Sequence, residues 1–349
     1  MSDRPVVIKL GGDALASPQR IIAQAERLAR QAAQGPVVAV TSARRGVTDH
    51  LLGLAQQISD AAGGNPEARL SVALARSAKA ERDRAVATGE IVSASLLALA
   101  LNQLGVAAVS LDAREAGVVS RGDFGDTRIH EVAPRNLERL LQRGTIPVVT
   151  GFQGWQRGRV ATLGRGGTDT SAVALTLALG GQRTIFVKEA HGLRTADPKL
   201  VPEALRIAEA PHGFLSALTS AGARVVQAEA AQLAESRGLR LEFWSLEEDV
   251  ADSVVHQGAS GAGLRAVATY SGSDGGRVTL LAGQASDLAN ETDALRAALR
   301  SAGITAEEIQ PAANGLRFVV PADRAVDATR ALHSAFVNCR PDHNARRAS

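Results

Sequence analysis

VVIKLGGDALASPQRIIAQAERLA, residues 6–29, passes from an apolar stretch of strand length through paired glycines into a segment of helical period. Val6–Leu10 is apolar on both faces apart from Lys9, as a strand enclosed between two layers must be. Ser17 followed by Pro18 marks a helix start, because a hydroxyl can accept from an orphan amide and proline brings no amide to the first position. Ile21, Ile22, Ala25, Leu28 and Ala29 then recur on one face. Strand, glycine loop and helix in direct succession predict an α/β fold built on a mostly parallel sheet.

The same alternation continues outward. Val37–Thr41, Ala107–Leu111, Ile146–Thr150, Thr184–Val187 and Leu239–Trp244 are further apolar runs, separated by segments of helical period. They belong in a three-layer αβα sandwich covering residues 1–256. Small residues then dominate 257–263, which read as a linker. Beyond it, a strand at Arg277–Ala282, a helix at Glu291–Gly303, a strand at Gly315–Val320 and a helix at Ala322–Phe336 predict a small α+β domain over 264–339. Residues 340–349 form a polar, basic tail.

Composition narrows the function classes. With 349 residues and 45% hydrophobic content the chain can bury the cores of two domains. It has no uninterrupted apolar run of about eighteen residues and no leader-like start, so a soluble, cytoplasmic protein that does not engage the membrane is expected. A net charge of +3 is spread among acidic residues, and aromatics make up only 3%, too few for the stacking platforms of single-strand nucleic-acid binders. The lone cysteine, Cys339, excludes an internal disulfide and reads as an inert thiol. No histidine pair has zinc-site spacing, and no metal ligand is assigned.

Five segments carry groups suited to anion chemistry. Lys9-Leu10-Gly11-Gly12-Asp13 ends the first strand, where paired glycines let phosphate oxygens approach the backbone and lysine supplies a compact charge. Thr41–Asp49 joins a strand to a helix from Asp49 to Ala61, offering hydroxyls and amides to an anionic or amino-acid ligand. In Thr88-Gly89-Glu90, inside a long helix, the glycine reads as a surface kink, while Glu90 has the charge to recognise an ammonium group. Thr162–Ser171, TLGRGGTDTS, precedes an apolar helix, Ser171–Leu179. Its glycines expose a helix N-terminus, Arg165 can grip a carboxylate bidentately, and Asp169 can position a lysine or a metal-bound phosphate. His191–Lys199, HGLRTADPK, is a loop closed by proline.

In this order and at these distances the segments resemble the aspartokinases of the amino-acid kinase family. KLGGDAL, VTSARRGVTDHLLGLA, PVVTGFQGW, TLGRGGTDTSAVALTLALG and the downstream TADP carry the likeness, over about residues 5 to 247. The resemblance implies Mg²⁺ and ATP as cofactors and phosphorylation of the aspartate side chain, the first step toward lysine, threonine and methionine. It implies catalytic roles for Lys9, Arg165 and Asp169. It places aspartate against Ser42, Ala43, Thr48, Glu90, Arg165 and Thr168. It places ATP against Lys9, Gly11, Gly12, Val187, Lys188, Arg194, Lys199 and Arg224. The C-terminal unit resembles an ACT domain, which implies a regulatory role or a homodimer.

The chain also departs from that pattern. Asp13 and Ala14 stand where hydroxyl residues are usual, Val187-Lys188 replaces a Thr-Asp pair, Arg194 replaces an aromatic residue, and Gln227-Ala228 replaces His-Pro. Two further readings stay open on those residues: a kinase of the same fold acting on another acidic substrate, or a non-catalytic relative that binds small molecules or a partner.

Overall fold

The computed structural model describes residues 4–63, 71–164, 166–189, 192–272, 275–284, 288 and 291–337. Arg165, His191, Cys339 and the 340–349 tail lie outside the described residues. The chain divides into two compact units, Met1–Glu189 with Leu246–Asp249, and Ala190–Ser245 with Val250–Ser349.

The first unit holds β1 (Val6–Leu10), α1 (Pro18–Ala32), β2 (Val37–Thr41), α2 (Val47–Ala61), α3 (Val72–Gln103), β3 (Ala108–Leu111), β4 (Val118–Asp123), β5 (Asp126–Val132), α4 (Arg135–Gln142), β6 (Ile146–Thr150), β7 (Gln153–Gln156), β8 (Arg159–Thr162), α5 (Gly167–Ala178) and β9 (Arg183–Val187). Five strands run parallel in the order β9-β1-β2-β6-β3. Val7, Val38, Val40 and Val149 meet Leu137 of α4 and Ala172 and Leu175 of α5 on one face. On the other side α1 packs on α3, and α3 on β2, β6 and β3. Helices thus cover both faces, and every central strand is buried without alternation. A second sheet, β5-β4-β7-β8, is formed mainly from hairpins.

Local chemistry fixes the helix entries. Ser17 Oγ accepts from the Arg20 amide at 3.2 Å, with Pro18 in the first turn. Arg27, buried in α1, donates to Asp249 at 2.5 Å and to the Leu246 and Glu248 carbonyls, fastening that returning segment. α3 is long and apolar enough to cross a bilayer, but half of its apolar window is packed inside the protein. Its inner face carries Asp83 and Glu90, the character of a core helix. Asp83 Oδ2 accepts from the Gly125 and Thr162 amides, both at 2.8 Å, pinning the second sheet to α3.

In the second unit β10 (Glu209–Ala210), β12 (Ala251–Val255) and β11 (Arg240–Trp244) pair in that order, with α6 (His212–Ser220) and α7 (Ala228–Ser236) packed on each other. No helix or strand occurs between residues 256 and 264. An antiparallel sheet follows, ordered β13 (Arg265–Gly272), β14 (Gly275–Ala282), β16 (Gly315–Val320), β15 (Glu308–Ala312). Leu295 and Leu299 of α8 (Thr292–Ser301), with Ala328 and Leu332 of α9 (Ala325–Phe336), close its core over Val278, Leu280 and Phe318.

Several boundaries differ from the sequence reading for a common reason. Gly46 and Gly166 adopt φ of 78° and 82° at the helix entries. A left-handed residue there turns the chain early, so α2 starts at Val47 rather than Asp49, and α5 at Gly167 rather than Ser171. The segment from Ala322 begins with a 3₁₀ turn, Ala322–Arg324, before α9. The hairpin strands β4 and β5 escape an apolar-run criterion because their outer residues are charged.

Candidate active site

Strand parity assembles the centre of the site. Lys9 lies abreast of Val40 and Phe186, one residue pair beyond Val7 on the face covered by α5. Because α5 begins at Gly167, Asp169 falls in its first turn and projects toward that face. Lys9 Nζ and Asp169 Oδ1 stand 2.9 Å apart, their side chains 10% and 9% exposed. A carboxylate in the first turn is also favoured by the helix dipole.

Around this pair the glycines fit their places sterically. A Cβ on Gly12 would come 2.8 Å from the Ala43 carbonyl oxygen, so this position admits only glycine while the two strand-end loops keep their approach. Gly11 has no such crowding, and its amide is directed at the Val187 carbonyl at 3.4 Å. Ser42 donates its amide to Leu10, and Arg45 its amide to Gly12, which draws the β2 loop over the β1 loop.

Glu90 enters from α3. It is 2% exposed, and its Oε1 accepts from the Ala43 amide at 3.0 Å. Its Oε2 is buried without a hydrogen-bond partner among the described residues. Burial pushes the Glu90 carboxyl up to about 7, against the lowering effect of the Ala43 amide. Gly89, read from sequence as a surface kink, is instead buried, and a Cβ there would lie 2.8 Å from the Ala43 Cβ. That absence of side chain lets α3 come close enough for Glu90 to reach the loop.

Thr48 sits half-buried in the first turn of α2, and Thr168 is buried in the first turn of α5. Gly151 makes room for Thr168, since a Cβ at Gly151 would meet the Thr168 methyl at 2.4 Å. Thr150 donates to Gln153, and Gln153 Nε2 donates to the Ala87 carbonyl one turn before Glu90. These two positioning residues lie within PVVTGFQGW, a signal quoted from the sequence without a role for either side chain. Asp13, Arg20, Arg45 and Glu189 form a charged rim, with Arg45 3.1 Å from Asp13 and 3.6 Å from Glu189, and Arg20 3.2 Å from Glu189.

Val187 ends β9, fully buried, and Lys188 follows it with partial solvent access. Burial pushes the Lys188 ammonium down to about 8; the charge of Lys9 acts the same way and Asp169 opposes it. Lys9, Gly11, Gly12, Ser42, Ala43, Thr48, Glu90, Thr168, Asp169, Val187 and Lys188 therefore all belong to the first unit. Arg194, Lys199 and Arg224 belong to the second. There Arg194 pairs with Asp252 at 3.2 Å, while Lys199 and Arg224 are exposed.

Residues 4–245 match the profile of the amino acid kinase family. The aspartokinase of Bacillus sp. (strain MGA3) is 35% identical over 254 residues, 72% of this chain and 58% of that protein. That of Geobacillus stearothermophilus is 35% identical over 257 residues, 73% and 60% respectively. The chain thus spans less than two thirds of the length of these relatives. E. coli aspartokinase III, solved with aspartate and ADP in its R-state, superposes with a TM-score of 0.81 over 95% of this chain and all of that one, at 21% identity. The Synechocystis aspartate kinase gives 0.61 at 25% identity, over 97% and 71%.

Proposed function

The chain belongs to the amino acid kinase family, and on that premise we propose that it is an aspartate kinase, transferring the terminal phosphoryl group of ATP to the side-chain carboxylate of L-aspartate. The observation that carries this reading is the buried Lys9–Asp169 pair at the end of β1. It is a fixed cation, oriented in advance, at a strand end bordered by glycines. The likeness to aspartokinases and the buried Glu90 carboxylate, whose second oxygen has no partner among the described residues, support the choice of an amino-acid acceptor.

A carboxylate with a pKa near ~4 is ionised at neutral pH and needs no general base. Its oxygen attacks the γ-phosphorus, the bond from that phosphorus to the β–γ bridging oxygen breaks, and the electron pair leaves with ADP. Lys9 offsets the charge on the transferring group, and Asp169 keeps its ammonium in place. Glu90 holds the substrate ammonium, Arg165 its α-carboxylate, and Ser42, Ala43, Thr48 and Thr168 line the acid. Gly11, Gly12, Val187 and Lys188 are assigned to ATP.

Among the described residues no three His, Cys, Asp or Glu side chains gather as a metal cage. Asp169 offers one carboxylate, which fits a Mg²⁺ held chiefly by nucleotide oxygens, where it would neutralise phosphate charge. We assign residues 1–256 to the catalytic domain, 257–263 to the linker and 264–339 to an ACT-like unit serving regulation or a homodimer. The independent core under the β13–β16 sheet supports this division.

The test is to incubate the protein with ATP, Mg²⁺ and single acids and trap acyl phosphate with hydroxylamine. Hydroxamate from aspartate, and none from glutamate or N-acetylglutamate, is the expected result. No product with any acid, together with no heat of ATP binding, would overturn the kinase reading.

A further inference from the structure

The second half of α3 carries no charge on the side that faces out. From Ala85 to Leu104 each exposed residue is uncharged, and the only charged side chain of the stretch, Glu90, is buried. Ile91, Val92, Leu99 and Leu104 stand 43%, 46%, 54% and 43% exposed. Half of the helix's apolar window thus stays outside the core, whereas a helix that is apolar all round is ordinarily buried all round. The neighbouring sheet edge is already closed where it begins. Asn102 donates to the Ala108 carbonyl at 3.0 Å and accepts from the Ala108 amide at 2.9 Å, capping β3, the last strand of its sheet among the described residues. What stays open is a surface of side chains on one helix.

We propose that this face is an interface between two copies of the chain, in which α3 packs antiparallel on α3 of a second molecule about a twofold axis at Ser95. Ile91, Ser95 and Leu99 recur every four residues and are all exposed, so they form one ridge of the helix. That ridge reads large, small, large in either direction. An antiparallel copy therefore sets Ile91 against Leu99 twice and brings the two serines together at the centre, where small side chains let helix axes approach to ~8–10 Å. Because the face is neutral, no like charges meet when it meets itself. A lipid surface fits less well, since helices that lie on lipid carry Lys and Arg beside their apolar stripe and no basic residue of α3 follows Arg84. The face is about 30 Å by 10 Å, smaller than the ~800 Å² that one partner gives to a standard interface, so the dimer is reversible and micromolar. The proposal is independent of the kinase reading and of any association through residues 264–339.

The experiment is sedimentation velocity on the full chain over about 1 to 100 µM, on Ile91→Arg, on Leu99→Glu and on an equimolar mixture of the two variants. Circular dichroism checks that each is folded. The natural chain is expected to double in mass across this range. Each variant alone should lose that step, weakened at least about tenfold, because a charge is pressed against an apolar residue in both halves of the twofold contact. The mixture should regain it, since the introduced guanidinium of one molecule then faces the introduced carboxylate of the other. If residues 264–339 also associate, the natural chain shows one further step and the variants lose only this one. A natural chain without any association step overturns the proposal, whether or not it sediments with phosphatidylcholine vesicles. So do variants that associate like the natural chain, and a mixture that associates no better than its components. Should one variant fail to fold, Ser95→Arg takes its place: it opposes two guanidiniums on the twofold axis and must dissociate as well.

Discussion

Glu90 Oε1 accepts a hydrogen bond from the Ala43 amide at 3.0 Å while its second oxygen is buried without a partner among the described residues. One amide does not replace the hydration that a carboxylate loses on burial, which is why its pKa climbs to about 7 from an ordinary 4.5. As pH rises through that interval the unfolded chain releases its proton first. Stability is therefore fully present below the lower value and is lost as pH passes the upper one, by up to about 3 kcal/mol. Glu90→Gln cannot ionise, so urea denaturation should find it close to the natural protein at pH 5 and more stable than it at pH 8. An equal difference at both pH values would show that the carboxylate is not the source.

On the proposed function the same carboxylate would hold the ammonium of the acceptor amino acid. A substrate ammonium favours the ionised form, so the apparent KM for aspartate should rise as pH falls below about 7. Glu90→Gln should raise KM roughly 10- to 100-fold with a smaller change in kcat, and its KM should lose that acid limb. Steady-state hydroxamate assays between pH 6 and 9 decide it, and a KM limb that persists in the variant points to another group.

On the proposed kinase reading Lys9 and Asp169 make a different demand, because their interaction would serve the transition state. Lys9→Met should lower kcat by about 10²- to 10⁴-fold with little change in aspartate KM. Asp169→Asn leaves the lysine in position but frees its ammonium, and should also lower kcat. Breaking a nearly buried pair from one side costs about 3 kcal/mol or more, so both variants should melt lower, while Lys9→Met/Asp169→Leu should recover part of the loss. Recovery of stability without recovery of turnover is the expected pattern in paired melting and rate measurements.

Much of this site is legible in the sequence because its parts sit where elements end. Lys9 and the paired glycines follow an apolar strand, and Asp169 follows a glycine cluster before an apolar helix. Glycine conformation is harder to read. Gly166 and Gly46 move their helix starts by adopting positive φ, which residue type permits but does not require. Gly89 reads as a kink because local sequence contains no trace of the Ala43 side chain that it faces from forty-six positions away. Gln153 and Asp83 are missed for the same reason: each is a long-range fastening of α3, visible only when strands and helix are assembled.

Gly11 and Gly12 are adjacent in sequence but differ in their tolerance of a methyl group. At Gly12 a Cβ meets the Ala43 oxygen at 2.8 Å and the Arg45 nitrogen at 3.0 Å, whereas at Gly11 the nearest atom is the Val187 oxygen at 3.6 Å. Gly11 also has φ of −72°, which any residue adopts. Gly12→Ala should therefore part the β1 and β2 loops, cost about 1–3 kcal/mol and abolish turnover. Gly11→Ala should fold with an unchanged melting point, so a Gly11→Ala that melts like Gly12→Ala would contradict the steric account.

In the second unit, His333 of α9 and Thr195 form a buried contact, Nε2 to Oγ1 at 2.8 Å. The threonine hydroxyl also accepts from the Leu205 amide at 2.8 Å, so α9 and the 193–205 segment are fastened through one side chain. His333 is fully buried and its Nδ1 has no partner among the described residues; burial pushes its pKa down, with Glu203 opposing. A histidine held neutral in the fold but ionisable in the unfolded chain stabilises the protein above the ordinary value of 6.5, and that stability is lost as pH falls below it. His212, buried with neither ring nitrogen paired among the described residues, shifts in the same direction and steepens the loss. His333→Gln should cost about 1–2 kcal/mol at pH 8 through the weakened contact. Between pH 6.5 and 5 it should lose stability less steeply than the natural protein, by up to about 1.4 kcal/mol per pH unit. Parallel slopes for the two proteins in urea titrations across that range would assign the acid sensitivity to His212 or to carboxylates instead of His333.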